Sequence, residues 1–310
     1  MNPIIKTIGL AALVAIAGCS RVETQKEETH APPSVVVMVG GEYRFEGNTL
    51  TEITSDRDNE ASYAVISDIH GNVEKAKHFV ERFAEMGLHG IIASGDIGEN
   101  KNQIREVLEA LAEPGLPVFA IPGNHETKAD YEAGVREASK GNANIIDMAK
   151  YRRFDGDDAD FVSLPGYQVQ RFVHNNGYFA SPEYIRETGR LRENLDDAVV
   201  LITHGAGYTG AMPGPATLYN GTDVGDRETA RMMVDNDIAF AVCGHIHEAG
   251  GIAATFEGRN VQPGEWAEQF TANFGTLRRW KLLNGNTIGG MAGILYIKGN
   301  EAKYEVMVLE

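Results

Sequence analysis

The sequence predicts an α/β protein with much parallel sheet. Tyr63–Ser67, Gly90–Ser94, Val118–Ile121, Ala198–Thr203 and Ile238–Cys243 are short apolar runs rich in β-branched residues, the composition of strands buried on both faces. Between them, Val73–Met86, Asn102–Ala112, Lys128–Ser139 and Arg227–Asp235 have helical composition and amphipathic spacing. Strands alternating with helices indicate parallel strands joined by helical crossovers. The overall composition agrees. With 43% hydrophobic and 23% charged residues and only 11 Pro in 310, the chain is neither disordered, collagen-like nor a coiled coil, and it is long enough to bury a substantial core.

Taken in order, the chain opens with an address. Met1–Lys6 carries one positive charge, and the apolar, Ala-rich run Thr7–Gly18 is shorter than the roughly 20 residues that cross a bilayer. It fits a secretory signal. The run ends in Ile16-Ala17-Gly18-Cys19, which resembles the lipobox of bacterial lipoproteins, with Ile where Leu is more usual. That resemblance implies cleavage of residues 1–18, acylation of Cys19, and an exported protein anchored by lipid on the periplasmic or extracellular side of a bacterial cell envelope. Residues 19–34 are polar, end near Pro32-Pro33 and read as a flexible tether. Residues 35–61 read as an N-terminal β appendage: a strand at Val35–Val39, then a hairpin from Tyr43 to Ile53 turning at Gly47-Asn48. The main domain is expected over 62–310. Beyond the last of the five strands, Phe270–Leu277, Arg279–Leu283, Met291–Lys298 and Lys303–Leu309 read as an antiparallel meander. Cys243, with Cys19 acylated, has no partner and is expected in the core.

Each of the five strands runs directly into side chains that can hold a metal. The turns are Ser67-Asp68-Ile69-His70-Gly71-Asn72, Ser94-Gly95-Asp96-Ile97-Gly98-Glu99, Pro122-Gly123-Asn124-His125-Glu126, Thr203-His204-Gly205 and Gly244-His245-Ile246-His247. Open α/β sheets build their sites at the carboxyl ends of strands, and five of the nine histidines occupy these turns. One histidine after a strand is ordinarily structural; five such turns in succession, with Asp, Asn and Gly among them, point to a metal centre. Imidazole and carboxylate suit Mn, Fe or Zn, and soft thiolate is missing from the set.

The order D-x-H, G-D, G-N-H-E, H-G, G-H-x-H over roughly residues 62–250 resembles the calcineurin-like metallophosphoesterase family. The resemblance implies a four-layer α/β/β/α sandwich of two mixed sheets and a two-metal hydrolase of phosphate esters. It places Asp68, His70 and His247 on one metal, Asn124, His204 and His245 on the other, and Asp96 between them. The resemblance also implies a hydroxide bridging two transition-metal ions that would attack phosphorus, with His125 protonating the departing oxygen or stabilising charge that develops on phosphorus. Where familiar relatives have an Asp three positions after the G-D carboxylate, this chain has Glu99, leaving a carboxylate to support His125. The family's Asn-Pro-Gly turn is replaced by Asn273-Phe274-Gly275.

Charge narrows the substrate. With 44 acidic against 28 basic residues the chain carries a formal charge of -16, which repels a polyphosphate backbone and argues against long nucleic acid. Two divalent cations held by only two carboxylates would leave a locally positive cleft suited to a small phosphate ester. A monoesterase, a diesterase (including one for cyclic nucleotides) and a nuclease share this chemistry; a catalytically inactive, metal-loaded binding scaffold is the reading from another class. Gly205-Ala206-Gly207-Tyr208-Thr209-Gly210 has the spacing of a dinucleotide fingerprint, but Met212-Pro213-Gly214-Pro215 follows where that motif needs a helix. The segment Gly205–Gly225 is expected instead as a mobile loop at the edge of the site, with Tyr208 or Tyr219 as substrate contacts.

The N-terminal reading makes a prediction. Cys19→Ser should shift the protein from the detergent to the aqueous phase on detergent partitioning, and protein beginning at Ser34 should keep full specific activity. Partitioning that Cys19→Ser leaves unchanged would contradict the lipid anchor.

Overall fold

The computed structural model describes residues 34–38, 41–56 and 58–310. The expected signal segment, Cys19 and nearly all of the tether lie outside the described residues. In chain order the structure begins with β1 (Ser34–Met38), β2 (Gly41–Glu46), β3 (Thr49–Glu52) and β4 (Glu60–Ile66), then α1 (Val73–Ala84), β5 (Gly90–Ser94), α2 (Lys101–Ala112), β6 (Val118–Ile121), α3 (Lys128–Ala138) and β7 (Ile145–Asp147). There follow β8 (Arg153–Asp155), β9 (Asp160–Leu164), α4 (Pro182–Arg190), β10 (Val199–Thr203), α5 (Arg227–Asp235) and β11 (Phe240–Cys243). The remainder is β12 (Ala253–Ala254), β13 (Asn260–Val261), β14 (Phe270–Asn273), β15 (Trp280–Lys281), β16 (Thr287–Ile288), β17 (Gly290–Lys298) and β18 (Glu301–Leu309).

Two mixed sheets result. The six-stranded sheet has the order β18-β17-β4-β5-β6-β7, with β4 through β7 parallel and β17 antiparallel to β4. The ten-stranded sheet has the order β1-β2-β3-β8-β9-β10-β11-β14-β12-β13, with β9, β10, β11 and β14 mutually parallel. Alternation along each strand sorts its side chains between two cores. Tyr63 and Val65 of β4 join Phe161, Val200, Ile202, Phe240 and Val242 in the core between the sheets. Ala64 and Ile66, their neighbours, face the other way and pack with Phe79, Phe83, Val107 and Leu108 of α1 and α2. On the opposite outer face, Val199 and Leu201 pack under Ile185 of α4 and Met232 and Met233 of α5. The layering is helix, sheet, sheet, helix.

The segment read as an N-terminal β appendage is part of this body: β3 pairs in parallel with β8, and Met38, Tyr43 and Leu50 enter the core between the sheets. The C-terminal meander is corrected. Phe270–Asn273 does not pair with the strands that follow it but lies parallel to β11 and antiparallel to β12 in the ten-stranded sheet, buried along its whole length. Arg279–Leu283 reduces to β15, paired only with β16. The antiparallel expectation holds for β17 and β18, which pair in register from Gly290 with Leu309 to Lys298 with Glu301. A four-residue strand has the same composition in either pairing direction, so the sequence could not distinguish them.

Parallel β4, β5 and β6 of one sheet, and β10 and β11 of the other, end on the same edge of the molecule. The five ligand-bearing turns are therefore brought together.

Candidate metal centre

The turns are locked onto one another by their backbones. After β4, the amides of Asp68, His70 and Gly71 donate to the carbonyls of Gly95, Asp96 and Ile97 in the turn after β5, at 3.1, 2.8 and 2.8 Å. The amide of His125 donates to Asp96 Oδ1 at 3.0 Å, and that of His245 to Asp68 Oδ2 at 2.8 Å. The carboxylate of Glu126, fully buried, accepts from the amides of Ile97 and Gly98 and, through its other oxygen, from Gly123 at 2.8 Å, so it joins the second turn to the third. Asn273 does the same for the last turn. Its Nδ2 donates to the carbonyls of Pro215, Gly244 and Ile246 at 2.8–3.2 Å. Within this mesh Asp68, His70, Asp96 and His245 adopt left-handed backbone angles, with φ of 49°, 49°, 50° and 65°. For non-glycine residues such angles are strained and collect at functional sites.

The side chains converge in a nearly dry crevice. Asp68 and Asp96 are 1% and 2% exposed, Asn124 is 6% exposed and His204 is fully buried. Among the described residues no lysine or arginine pairs with either aspartate; their charged neighbours are all histidines. His247 Nε2 lies 2.9 Å and His70 Nε2 3.9 Å from Asp68 Oδ1; His70 Nε2 is also 3.7 Å from Asp96 Oδ2, and His204 Nε2 3.3 Å from it. Asn124 donates its Nδ2 to the Phe172 carbonyl at 3.0 Å, which turns Oδ1 inward to 3.0 Å from His204 Nε2. The ring of His245 lies 5.1 Å from that of His204, and His70 and His125 stand edge to face at 4.9 Å.

These donors fit metal ions. His204 Nδ1 is 3.0 Å from the Ser94 carbonyl, an acceptor only, so that nitrogen carries the proton and Nε2 faces Asp96, Asn124 and, at 4.0 Å, Asp68. Three oxygens gathered on one nitrogen require a positive charge among them. Burial opposes charge on His204, but Asp96 and Asp68 outweigh it and push the imidazole up to about 10; a bound cation answers the same demand. His70 has the complementary arrangement: Nδ1 is 2.9 Å from Glu99 Oε1, while Nε2 is buried without a hydrogen-bond partner between the two aspartates. His247 Nδ1 is likewise buried and unpartnered. Burial works against ionisation of Asp68 and Asp96, yet the facing histidines, His204 foremost, hold both below the usual carboxylate range. Burial, with the charge on His204, pulls His245 down to about 3, leaving it neutral as a ligand must be. Ligand atoms of Asp68, His70 and His247, and of Asp68, Asp96 and His204, lie within 4.8 Å of one another.

His125 stands at the mouth, its side chain 43% exposed, with Nδ1 3.2 Å from Glu99 Oε2 and Nε2 3.8 Å from Asp96 Oδ2. Glu99 thus spans His70 and His125, and its Oε1 is also 3.4 Å from Arg278. Burial disfavours charge on Glu99, but the hydrogen bonds to the two histidines outweigh it and keep the carboxyl below its ordinary range. Tyr208 lies under the Arg227 guanidinium, 3.7 Å from the ring centre, and Tyr219, exposed, donates its hydroxyl to the Lys281 carbonyl. The segment Gly205–Gly225 contains no helix, and backbone pairs from Tyr208 to Asp226, Val224 to Ala216 and Asp226 to Ala206 knit it down. Sequence reasoning missed Glu126 and Arg278. Only Glu126, inside the third turn, lay within a recognisable motif.

Residues 61–249 match the family model of the calcineurin-like phosphoesterases. Among solved structures, the fold resembles TT1561 of Thermus thermophilus, with 11% identity and a TM-score of 0.57 over 81% of this chain and 99% of that one. It also resembles a dimetal phosphatase from Danio rerio, with 12% identity and a TM-score of 0.51 over 80% of this chain and 98% of that one. Among curated proteins none matches the sequence.

The packing of the turns gives a test that leaves every candidate ligand in place. A Cβ at Gly123 would collide with Oδ1 of Asp96 and come within 2.6 Å of its backbone nitrogen. Gly123→Ala should therefore fold with unchanged circular dichroism but lose most of its bound metal by elemental analysis. Metal content equal to that of the native protein would show that the packing of Gly123 on Asp96 does not position a metal ligand.

Proposed function

The chain belongs to the calcineurin-like phosphoesterase family of metal-dependent hydrolases, and on that premise we propose that it hydrolyses small phosphate esters, mono- or diesters, at a dinuclear centre. The observation that carries this is the pair of buried carboxylates, Asp68 and Asp96, facing histidines with no lysine or arginine among the described residues to neutralise them. In this reading Asp68, His70 and His247 hold one transition-metal ion, Asn124, His204 and His245 the other, and Asp96 serves both. Mn, Fe and Zn all suit such a donor set. When bound, the metals neutralise phosphoryl oxygens and acidify water.

The chain's own residues supply the rest. The left-handed turns and the amide bonds that cross them hold Asp68, His70, Asp96 and His245 in place. Asn124 contributes an amide oxygen rather than a third carboxylate, which keeps the centre attractive to an anion. Glu99 accepts from His125 Nδ1, leaving Nε2 to carry the proton to the departing oxygen at the solvent-facing side of the crevice. Arg278, beside Glu99, places a further positive charge at that mouth. Acylation of Cys19 would hold this machinery at a membrane face.

The reading is tested by removing metal with chelator, restoring Mn, Fe or Zn, and assaying a panel of phosphate mono- and diesters. Turnover that returns with metal is expected; a metal-replete protein inert to the whole panel would be a binding scaffold. On active ester types, His125→Ala should retain both metals and lose about 10²–10⁴-fold on alkyl esters. The loss should shrink on nitrophenyl esters, whose phenolate departs without a proton. Metal loss in His125→Ala would make it a ligand instead.

A further inference from the structure

Two loops that carry no part of the candidate metal centre bring their acids together at the other end of the sheets. The β3–β4 connection supplies Asp56 and Asp58, and the β8–β9 turn supplies Asp157 and Asp158. One carboxylate oxygen from each of Asp56, Asp58 and Asp158 lies within 4.8 Å of the others. β4 starts at Glu60, next to this cluster, and ends at Ile66, just before Asp68. Its length puts roughly 20 Å of strand between the two groups of acids.

The acids border a hollow of about 40 Å³, walled by Glu52, Asp56, Tyr63, His89, Asp157 and Asp158. A water occupies about 30 Å³ in the liquid, so the hollow admits an ion or a water and no organic ligand. The two loops hold each other: the Asp56 amide donates to Asp157 Oδ2 at 2.9 Å, and the Asp157 amide to Glu52 Oε2 at 3.4 Å. Among the described residues no lysine or arginine pairs with these aspartates, and their one basic neighbour is His89, with Nε2 3.8 Å from Asp56 Oδ2. His89 Nδ1 accepts from the Ser62 amide at 3.1 Å, so the ring's single proton is on Nε2 and the histidine brings no full charge. The crowding is felt at Asp158, which burial and the carboxylates of Asp157, Asp56 and Asp58 push up to about 6. Tyr63 is an independent sign of a missing occupant. It is only 3% exposed, and its hydroxyl forms no hydrogen bond among the described residues. Burial, then Glu52, with Asp158 further behind, hold its phenol well above the ordinary range. Both acids wall the same hollow, so the hydroxyl is the end turned into it. A buried hydroxyl left in that state calls for a partner.

We propose that this hollow is a calcium site, in which Asp56, Asp58, Asp157 and Asp158 hold Ca²⁺ and the Tyr63 hydroxyl donates to a water bound to the ion. Donors that are all oxygen select a hard cation. Carboxylates from two irregular loops suit Ca²⁺, whose coordination is flexible, better than Mg²⁺, which demands a near-ideal octahedron. The ion would relieve the repulsion among the acids and pin the β3–β4 connection to the β8–β9 turn, fastening the N-terminal strands to the body. The proposal does not depend on the phosphoesterase reading.

The test adds calcium chloride to zinc-loaded protein freed of excess metal, so that calcium does not compete for the histidine-rich centre. Calorimetry should show one Ca²⁺ per chain with a Kd of about 10⁻³ M or tighter. Thermal unfolding in about 10 mM calcium should rise by about 2 °C or more. Hydrogen exchange should slow over residues 52–60 and 155–160 and stay unchanged in the histidine-bearing turns. Asp158→Asn should raise the Tm of the calcium-free protein, by removing one of the crowded charges, and abolish the response to calcium. Asp56→Asn serves if that variant fails to fold. Tyr63→Phe, which keeps the ring, should weaken calcium by about threefold to tenfold. Absence of saturable binding would leave the hollow to water and overturn the site. Calcium binding that Asp158→Asn and Tyr63→Phe leave intact, or slowed exchange confined to the histidine-bearing turns, would place the ion elsewhere and overturn it too. A Tm rise that sodium chloride of equal ionic strength reproduces would be screening of an acidic surface, and would also overturn it.

Discussion

Two carboxylates buried side by side are the constraint around which this molecule is arranged. Asp68 and Asp96 are withdrawn from water almost completely, and burying even one unpaired carboxylate costs several kcal/mol. The usual remedy, an arginine or lysine in the same crevice, is missing among the described residues. Histidines surround the pair instead, two of them with a buried nitrogen that bonds to nothing in the protein. A metal ion resolves all of these demands together. When bound it would neutralise the acids, take the idle lone pair of His70 Nε2 between them and leave net positive charge for a phosphate.

The fold supplies the stiffness such a site requires. Neither sheet alone could assemble it, because three of the turns follow strands of one sheet and two follow strands of the other. Each turn is fastened to the next by backbone amides, and the fastenings reuse candidate ligands: the outer oxygens of Asp68 and Asp96 accept from the amides of His245 and His125 while the remaining oxygens face inward. Glu126 and Asn273 act as struts beneath the turns. Burial and the neighbouring Asp96 push the Glu126 carboxyl up to about 8, so it is better regarded as a hydrogen-bonding brace than as a charge. Left-handed backbone at four non-glycine site residues, typically costing about 1–3 kcal/mol each, is held in place by this mesh.

Much of the site was legible because its candidate residues sit close together in sequence, in turns that directly follow strands. Asp68 with His70, Asn124 with His125, and His245 with His247 could be read without knowing any tertiary contact. The strands and helices that carry them were equally readable, since buried parallel strands are continuous apolar runs. What was not legible depends on pairing across the chain. The parallel placement of Phe270–Asn273 beside β11 has no local signature. The short β7, β8 and β9 and helix α4 fall in a stretch without motif. Glu126 looks like the tail of a motif until its amide partners 28 and 29 residues away are seen. The Asn-Phe-Gly stretch that departs from the family's turn still performs a structural task, through the three carbonyls its asparagine holds.

The central claim is that Asp96 lies between two metal ions, and anomalous diffraction from crystals grown with added Mn tests it most directly. The account predicts two anomalous peaks of comparable height astride the Asp96 carboxylate, about 3.5–4 Å apart. One peak would be flanked by Asp68, His70 and His247, the other by Asn124, His204 and His245. A single peak, or peaks away from Asp96 under saturating metal, would contradict it.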